Sequence, residues 1–539
     1  MPRIERGWSP GVLTLLLPSL SAARPPSLRA APAPVPAPAP APAALAALRP
    51  TMPRGGLIPA LFERLLQARA AVFFFFMLEG YFNSLWSVYL PLQQEELELS
   101  DSLIGGASLF NYGGQVVSTL ATAALLRRVG ARTAVLFGAV LFSCSMFAIP
   151  QAHSFAMLCV VFGLFGTTEG IMDVSMNANA VLTETVADRP LLGMYHGSYS
   201  VAAAVGGLLG GVFVDQGLNQ QSVYTVSGGL GIAFAVLSFL QLYPLEQEKE
   251  LTLALGDVVE AAAAAGSVQA AQAARAPVAY SSVDVDQPAP ASSSAGLPSS
   301  SLAPAAADKY GPLVLLAGVG FLAAAGEGAV VTWVAIFFTR SFSWAPGGLY
   351  SLGFTCFMSC MALGRFCCDW LRQLVGRQVM FRAAGLLAGG GVCIIAAAPS
   401  ALPEPGSLFM ACLGCCITGL GLSTLIPTVF SSAGHLPNVH PGTAISRVAT
   451  WTYAGSIVSP PLIGALSDAF HSLQLGFVVL AALLFLISPL GARVPPEPRA
   501  QQAGSAGTGT GTGAGYAASA GAEDKQEVDV LRVPLLPKA

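Results

Sequence analysis

The chain has 539 residues, 54% of them hydrophobic and only 10% charged, whereas soluble globular domains carry about 25% charged residues. With a mean hydropathy of +0.63, this composition argues against a soluble protein and for one that lives in a membrane. The formal net charge of -3, from 26 basic and 29 acidic residues, offers no basic surface and argues against a nucleic-acid partner.

Residues 1–55 open with "MPRIERGWSPGVLTLLLPSL" and pass through "APAPVPAPAPAPAA", with Arg3, Arg6, Arg24, Arg29 and Arg49 set against Glu5. Arg-rich and acid-poor composition fits an organelle transit peptide, chloroplast or mitochondrial, on an otherwise disordered segment. A plain tail, or a signal-peptide core in "GVLTLLLPSL", stays open as an alternative. The plasma or vacuolar membrane would then be the destination.

From Ala70 onward, apolar runs of about twenty residues recur, the length a helix rising 1.5 Å per residue needs to cross about 30 Å of hydrocarbon. About twelve are expected: 70–92, 103–126, 133–150, 155–180, 191–214 and 223–243, then 312–338, 346–364, 378–398, 407–431, 443–466 and 473–491. Between the sixth and the seventh, residues 246–309 are Ala/Ser/Pro-rich and read as a flexible linker. The organisation expected is therefore all-α and polytopic: a six-helix bundle over 56–245, the linker, a second six-helix bundle over 310–492, and a disordered tail over 493–539. The 10 cysteines lie in or beside apolar segments and read as small buried packers, because "CLGCC" at 412–416 lacks the His or carboxylate companions of a metal site. No metal and no cofactor is expected.

Charge orients the chain. Arg127, Arg128 and Arg132 follow the second run, Arg189 the fourth, Arg372, Arg377 and Arg382 the eighth, and Arg493 the twelfth, whereas the opposite loops are nearly free of Lys and Arg. The positive-inside rule puts these arginines, both termini and the linker on the cytosolic side or its equivalent. Arg340 is the main exception.

The halves repeat each other. "LEGYFNSLW" at 78–86 parallels "GEGAVVTW" at 326–333, placing Glu79 and Glu327 shortly before Trp86 and Trp333, and "GGVFVD" parallels "IGALSD", ending on Asp215 and Asp468. Repeated six-helix halves are a transporter signature. Together with "MYHGSYSVAAAVGGLLGG" in the fifth run, "GEGAVVTWVAIFF" in the seventh and "LGRFCCDWLRQLVGR" after the eighth, they resemble the major facilitator superfamily, and within it the fucose-permease-like branch. The resemblance covers about residues 60–492.

The resemblance implies a loop motif that ties helix ends together and breaks and reforms during transport. After the second run it is degraded: Arg127 stands where an Asp is expected, followed by Arg128 and Gly130. After the eighth it is better kept, in Gly364, Arg365, Asp369, Arg372, Gly376 and Arg377. The plain reading, arginines that merely obey the topology rule, stands beside it.

Glu79, Glu169, Asp173 and Glu327 fall inside apolar runs. At the bilayer centre an ionised carboxylate costs about 2.5–3.5 kcal/mol, so lipid-facing positions for all of them would cost on the order of 10 kcal/mol. They must face protein or a water-filled cavity. Glu169, Asp173 and Asn177 follow at four-residue intervals and share one helix stripe, as do Glu79, Asn83 and Trp86. The resemblance implies that the first, fourth, seventh and tenth spans line a central cavity, with Ser423, Thr424 and the helix-loosening Pro427 on the tenth. It also implies that one acid in the first span and one in the fourth couple solute to protons, which points to Glu169, with Glu79 sensing solute or sharing the proton. Structural pairing of these acids with a buried Arg or His is the alternative. His196 is a candidate partner or proton relay, and Trp86 and Trp333 are candidate stacking faces or interfacial anchors.

The function expected is secondary active transport of a small polar solute, sugar-like by resemblance, through proton symport by a monomer in the lipid bilayer. An enzyme is not expected: no phosphate-binding loop or catalytic set is visible. A broad-specificity efflux carrier of the same fold, and a transport-dead receptor or scaffold, are the alternatives.

Overall fold

The computed structural model describes residues 57–187, 191–243, 311–343, 347–434 and 441–495, together with 436 and 439. The expected presequence, the linker, nearly all of the tail, and Arg189 lie outside the described residues. Within them the secondary structure is helical and contains no strand.

The first half comprises α1 (Leu57–Glu96), α2 (Asp101–Ala148), α3 (Phe155–Ala187), α4 (Leu192–Asp215) and α5 (Gln220–Gln241). The second comprises α6 (Gly311–Ser341), α7 (Leu352–Val375), α8 (Arg377–Ala401), α9 (Gly406–Ser423), α10 (Leu425–Gly434), α11 (Pro441–Phe470), α12 (Leu473–Phe485) and α13 (Ile487–Ala492). Ten helical stretches among the described residues are long and apolar enough to cross a membrane. One of them, Asp101–Gln151, has 51 residues, which at 1.5 Å each exceeds twice the hydrocarbon thickness of about 30 Å. It holds the expected second and third runs, divided at Gly130, whose φ of 80° no helix accommodates. The expected eleventh run lies in α11, 30 residues long but too polar to be counted among the ten.

Proline chemistry explains the breaks in the tenth and twelfth runs. A proline lacks an N–H and its ring collides with the carbonyl four residues earlier. Pro427 thereby acts on Ser423, the last residue of α9, and Pro489 on Phe485, the last residue of α12. Gly130 and Gly376 show the repeat at backbone level: φ/ψ of 80°/163° and 76°/158°, at the same place in each half. A side chain there would be strained.

Side chains sort by solvent as the membrane reading requires. Leu120 and Val160 are 76% and 71% exposed, a surface suited to hydrocarbon rather than water. The Phe73–Phe76 run winds around α1: Phe75 and Phe76 are buried, Phe73 packs on Tyr195, and Phe74 faces outward against Phe234. The cysteines are free thiols, with Cys159, Cys368 and Cys415 buried but Cys144 and Cys393 exposed. The buried-packer expectation therefore holds for only part of the set, because a membrane protein also turns small apolar side chains outward.

Between the halves, α4 packs along α7, and α2 along α11. α4 needs glycine on this side: a Cβ on Gly348, in the 3-10 turn just before α7, would fall on the carbonyl of Gly211, and one on Gly197 would enter the Phe366 ring of α7. Gly348→Val is expected to abolish folded, monodisperse protein after detergent extraction, read by size-exclusion chromatography. Gly113→Val, where a Cβ meets nothing, should behave as wild type.

Candidate functional site

The four acids sit on three helices: Glu79 on α1, Glu169 and Asp173 on α3, and Glu327 on α6. Glu79 and Glu169 are 5% and 6% exposed. Asn83, one turn from Glu79, donates from Nδ2 to Glu169 Oε1 at 2.8 Å and so bridges the first and fourth spans. Asn177 reaches back one turn and donates to Asp173 Oδ1 at 2.8 Å. Both stripes expected from four-residue spacing therefore exist, and a hydrogen bond joins them.

Glu327 belongs to a second cluster centred on Arg365 of α7. The guanidinium donates to Glu327 Oε1 at 3.0 Å and to Ser200 Oγ on α4 at 2.6 Å, and lies 5.8 Å from the centre of the Tyr199 ring. Arg365 and Glu327 side chains are 11% and 20% exposed. The Arg365 charge also reaches Glu79 and His196. Tyr112 of α2 stands beside Thr332 of α6 and within electrostatic range of Glu169 and Glu327. Four carboxylates, one guanidinium and a ring of hydroxyls and amides thus meet where the two halves touch.

Several expectations change here. Arg365 leaves the loop motif: it lies inside α7, well before the break at Gly376, and pairs with Glu327. Trp86 and Trp333 are 1% and 0% exposed, which removes the interfacial-anchor reading. Trp333 donates its indole N–H to Pro460 O at 3.2 Å, a tie to α11, and Trp86 packs edge-on to Phe162 with its own N–H unpartnered. His196 is half-buried with its ring edge against Phe76, and no hydrogen bond joins it to the acids. Ser200, Tyr112 and Tyr199 escaped sequence reading. Nothing in their local sequence marks them; only their position opposite Arg365 and the acids does.

A family model described as Major Facilitator Superfamily matches residues 70–283 and 316–535. The chain belongs to the Major Facilitator Superfamily. Among curated proteins, an uncharacterized MFS-type transporter of Yersinia pestis is 22% identical over 77% of this chain and 92% of its own length. Membrane protein MosC of Rhizobium meliloti is 24% identical over 78% of this chain and 86% of its own. An uncharacterized transporter of Sinorhizobium fredii is 24% identical over 79% and 99%. Among solved structures, a mutant of the nucleoside transporter NupG aligns with a TM-score of 0.58 at 11% identity, covering 79% of this chain and 98% of that one. That likeness concerns the fold. The protein is an integral multi-pass membrane transporter, and the superfamily is not an enzyme class.

In this superfamily member the loop motif divides its work. Arg127 and Arg128 are exposed and have no partner among the described residues. In the second half Arg372 pairs with Asp369 at 3.7 Å and bonds to Ser431 of α10, while Arg377, 6% exposed, donates to Pro495 O at 2.7 Å. Gly364 lets Ser423 approach so closely that a Cβ would collide with its hydroxyl.

At the opposite ends of the helices lies a latch. Arg340, which closes α6, grips Asp101, which opens α2, with bonds of 2.8 and 2.6 Å. Gln94 donates to Asp101 at 2.7 Å, and Ser467 of α11 donates to it as well. Asp468 accepts the Asp101 and Ser102 backbone N–H groups at 3.1 and 2.8 Å, capping α2 from the other half. The one arginine that breaks the charge rule therefore has its counter-ion beside it. A cleft of about 620 Å³, lined by Asp101, Arg340, Asp468, His471 and Gln474 among others, opens over the latch, away from the buried acids. Asp215, the sequence counterpart of Asp468, is exposed and joins no such cap.

Proposed function

We propose that the chain is a proton-coupled symporter of a small polar, sugar-like solute, of the fucose-permease-like type, in which the 56–245 and 310–492 bundles rock about the central acids as a monomer in an organelle membrane. The observation that carries this reading is the Asn83–Glu169 bond, 2.8 Å long, between two spans that both bear buried acids. A carboxylate held there by a neutral amide is stable in the dry cavity when it carries a proton and stable in the wet cavity when it does not. Glu79 and Asp173 crowd the same place, which discourages simultaneous ionisation of the set.

Polar contacts between the halves support a direction. Ser87 donates to Val331 O, Tyr350 to Val88 O, and the Asp101 latch closes the end of α2 over α6 and α11. By the arginine distribution this is the non-cytosolic face, so the conformation is closed to that side.

Glu169→Gln in proteoliposomes is expected to lose accumulation driven by an imposed pH gradient while keeping solute counterflow, because exchange needs no net proton movement. Unchanged acid-driven accumulation in the variant would defeat proton coupling at this residue.

A further inference from the structure

Three of the four acids have partners in the structure. Glu169 accepts from Asn83 at 2.8 Å, Asp173 from Asn177 at 2.8 Å, and Glu327 from Arg365 at 3.0 Å. Glu79 differs. It is 5% exposed, and no hydrogen bond or ion pair with another described residue reaches its carboxylate, although Asp173, Glu169 and Arg365 are all within electrostatic range.

Resting on the transporter reading above, we propose that the carried solute bears a cationic amine and that Glu79 receives it. The charges at the site carry the argument. Arg365 is the only Lys or Arg among the described residues at the cluster, and it already binds Ser200 and Glu327. His196 sets its ring edge against Phe76 and has no hydrogen bond to the acids. An anionic solute would find no uncommitted cation and would face Glu79, Glu169 and Asp173. A neutral solute offers the Glu79 carboxylate no counter-charge, so in these low-dielectric surroundings Glu79 would have to take up a proton of its own and would not hold the solute by charge.

An ammonium group answers all of these. It brings three N–H donors and no acceptor, matched to carboxylates that lack donors of their own. Tyr199 already turns its ring toward the Arg365 cation, so an aromatic face suited to a second cation stands beside Glu79, whose charge Tyr199 feels. Hydroxyls on the same solute meet the amides of Asn83 and Asn177 and the Tyr112 hydroxyl. A hydroxylated amine of amino-sugar size is the class that fits.

The test uses three probes that share one ring and differ in charge: glucosamine, glucose and glucuronate, at millimolar concentration, with the purified full-length protein. Glucosamine is expected to raise the thermal unfolding midpoint more than glucose, and glucuronate not at all. Glu79→Gln should weaken the glucosamine response about tenfold or more, the effect of deleting a charged partner from a buried pair. Exposed Asp215→Asn should leave it unchanged, and Glu79→Asp, which keeps the charge, should retain part of it if the Gln variant folds poorly. No response to glucosamine, an equal or larger response to glucose or glucuronate, or an undiminished response in Glu79→Gln would each overturn the proposal. Glucosamine binding without counterflow would instead sink the transporter reading and leave the amine site standing; pH-driven uptake of glucose with no glucosamine response would do the reverse.

Discussion

Arg365→Met is expected to abolish transport and to destabilise the folded protein measurably. It strands Glu327 as an uncompensated charge and removes the donor to Ser200, both at the contact between the halves. With Arg365 and Glu327 side chains only 11% and 20% exposed, solvent screens little, and breaking one side of a buried pair costs about 3–5 kcal/mol. Thermal unfolding of the detergent-purified protein should show that loss, and transport should vanish. The informative comparison is the double variant Arg365→Met with Glu327→Gln. Two neutral groups of similar size leave no stranded charge, so most of the stability should return, while transport should not. Should the single variant be as stable as wild type, or the double no better than the single, the ion pair would not hold the resting state together.

Asp101→Asn is expected to act on conformation more than on folding. Asp101 gathers the guanidinium of Arg340, the amide of Gln94 and the hydroxyl of Ser467 on one buried carboxylate. Arg340 is 45% exposed at its side chain, so screening trims the ionic part, and losing the charge should cost the closed state on the order of 1–3 kcal/mol. At about 1.4 kcal/mol per tenfold, that moves the balance between the closed and open forms of this face by roughly one to two powers of ten. A cysteine placed at Ser467 in a background with Cys144 and Cys393 removed should then react with a membrane-impermeant maleimide at least several-fold faster in Asp101→Asn. Equal rates would mean that the latch does not set the closed state.

These two expectations rest on different amounts of foresight. The Glu79/Asn83 and Glu169/Asp173/Asn177 stripes were legible because residues four apart share a helix face whatever the helix packs against. Their meeting through Asn83 was not, since the helix rotation that aims one stripe at the other is chosen by packing elsewhere, at contacts such as Gly80 against the Tyr199 carbonyl and Gly138 against Met172. Arg365 shows the same gap from the other side. Its sequence neighbourhood reads as a loop motif, yet the helix continues past it to Val375, and its partners come from α4 and α6.

The loops show it again. Arg340 broke the charge rule in the sequence, and its partner Asp101 lies 239 positions earlier, where nothing in the local sequence links the two. Pro427, read as helix-loosening, does mark a break four residues upstream at Ser423, whereas Pro91, Pro399, Pro460 and Pro461 lie inside continuous helices.

What the sequence by itself determined is what depends on spacing along one chain segment: the membrane habitat, helices long enough to cross it, the internal repeat, the loosening of a helix at Pro427, and the presence of acids that lipid would reject. What only the tertiary structure decided is which of those acids has a partner, which arginine compensates them, and which face of the molecule is latched. The physical reason is that a charge in low dielectric is governed by its nearest neighbours in space, and in a helical membrane protein those neighbours come from other helices, often hundreds of residues away.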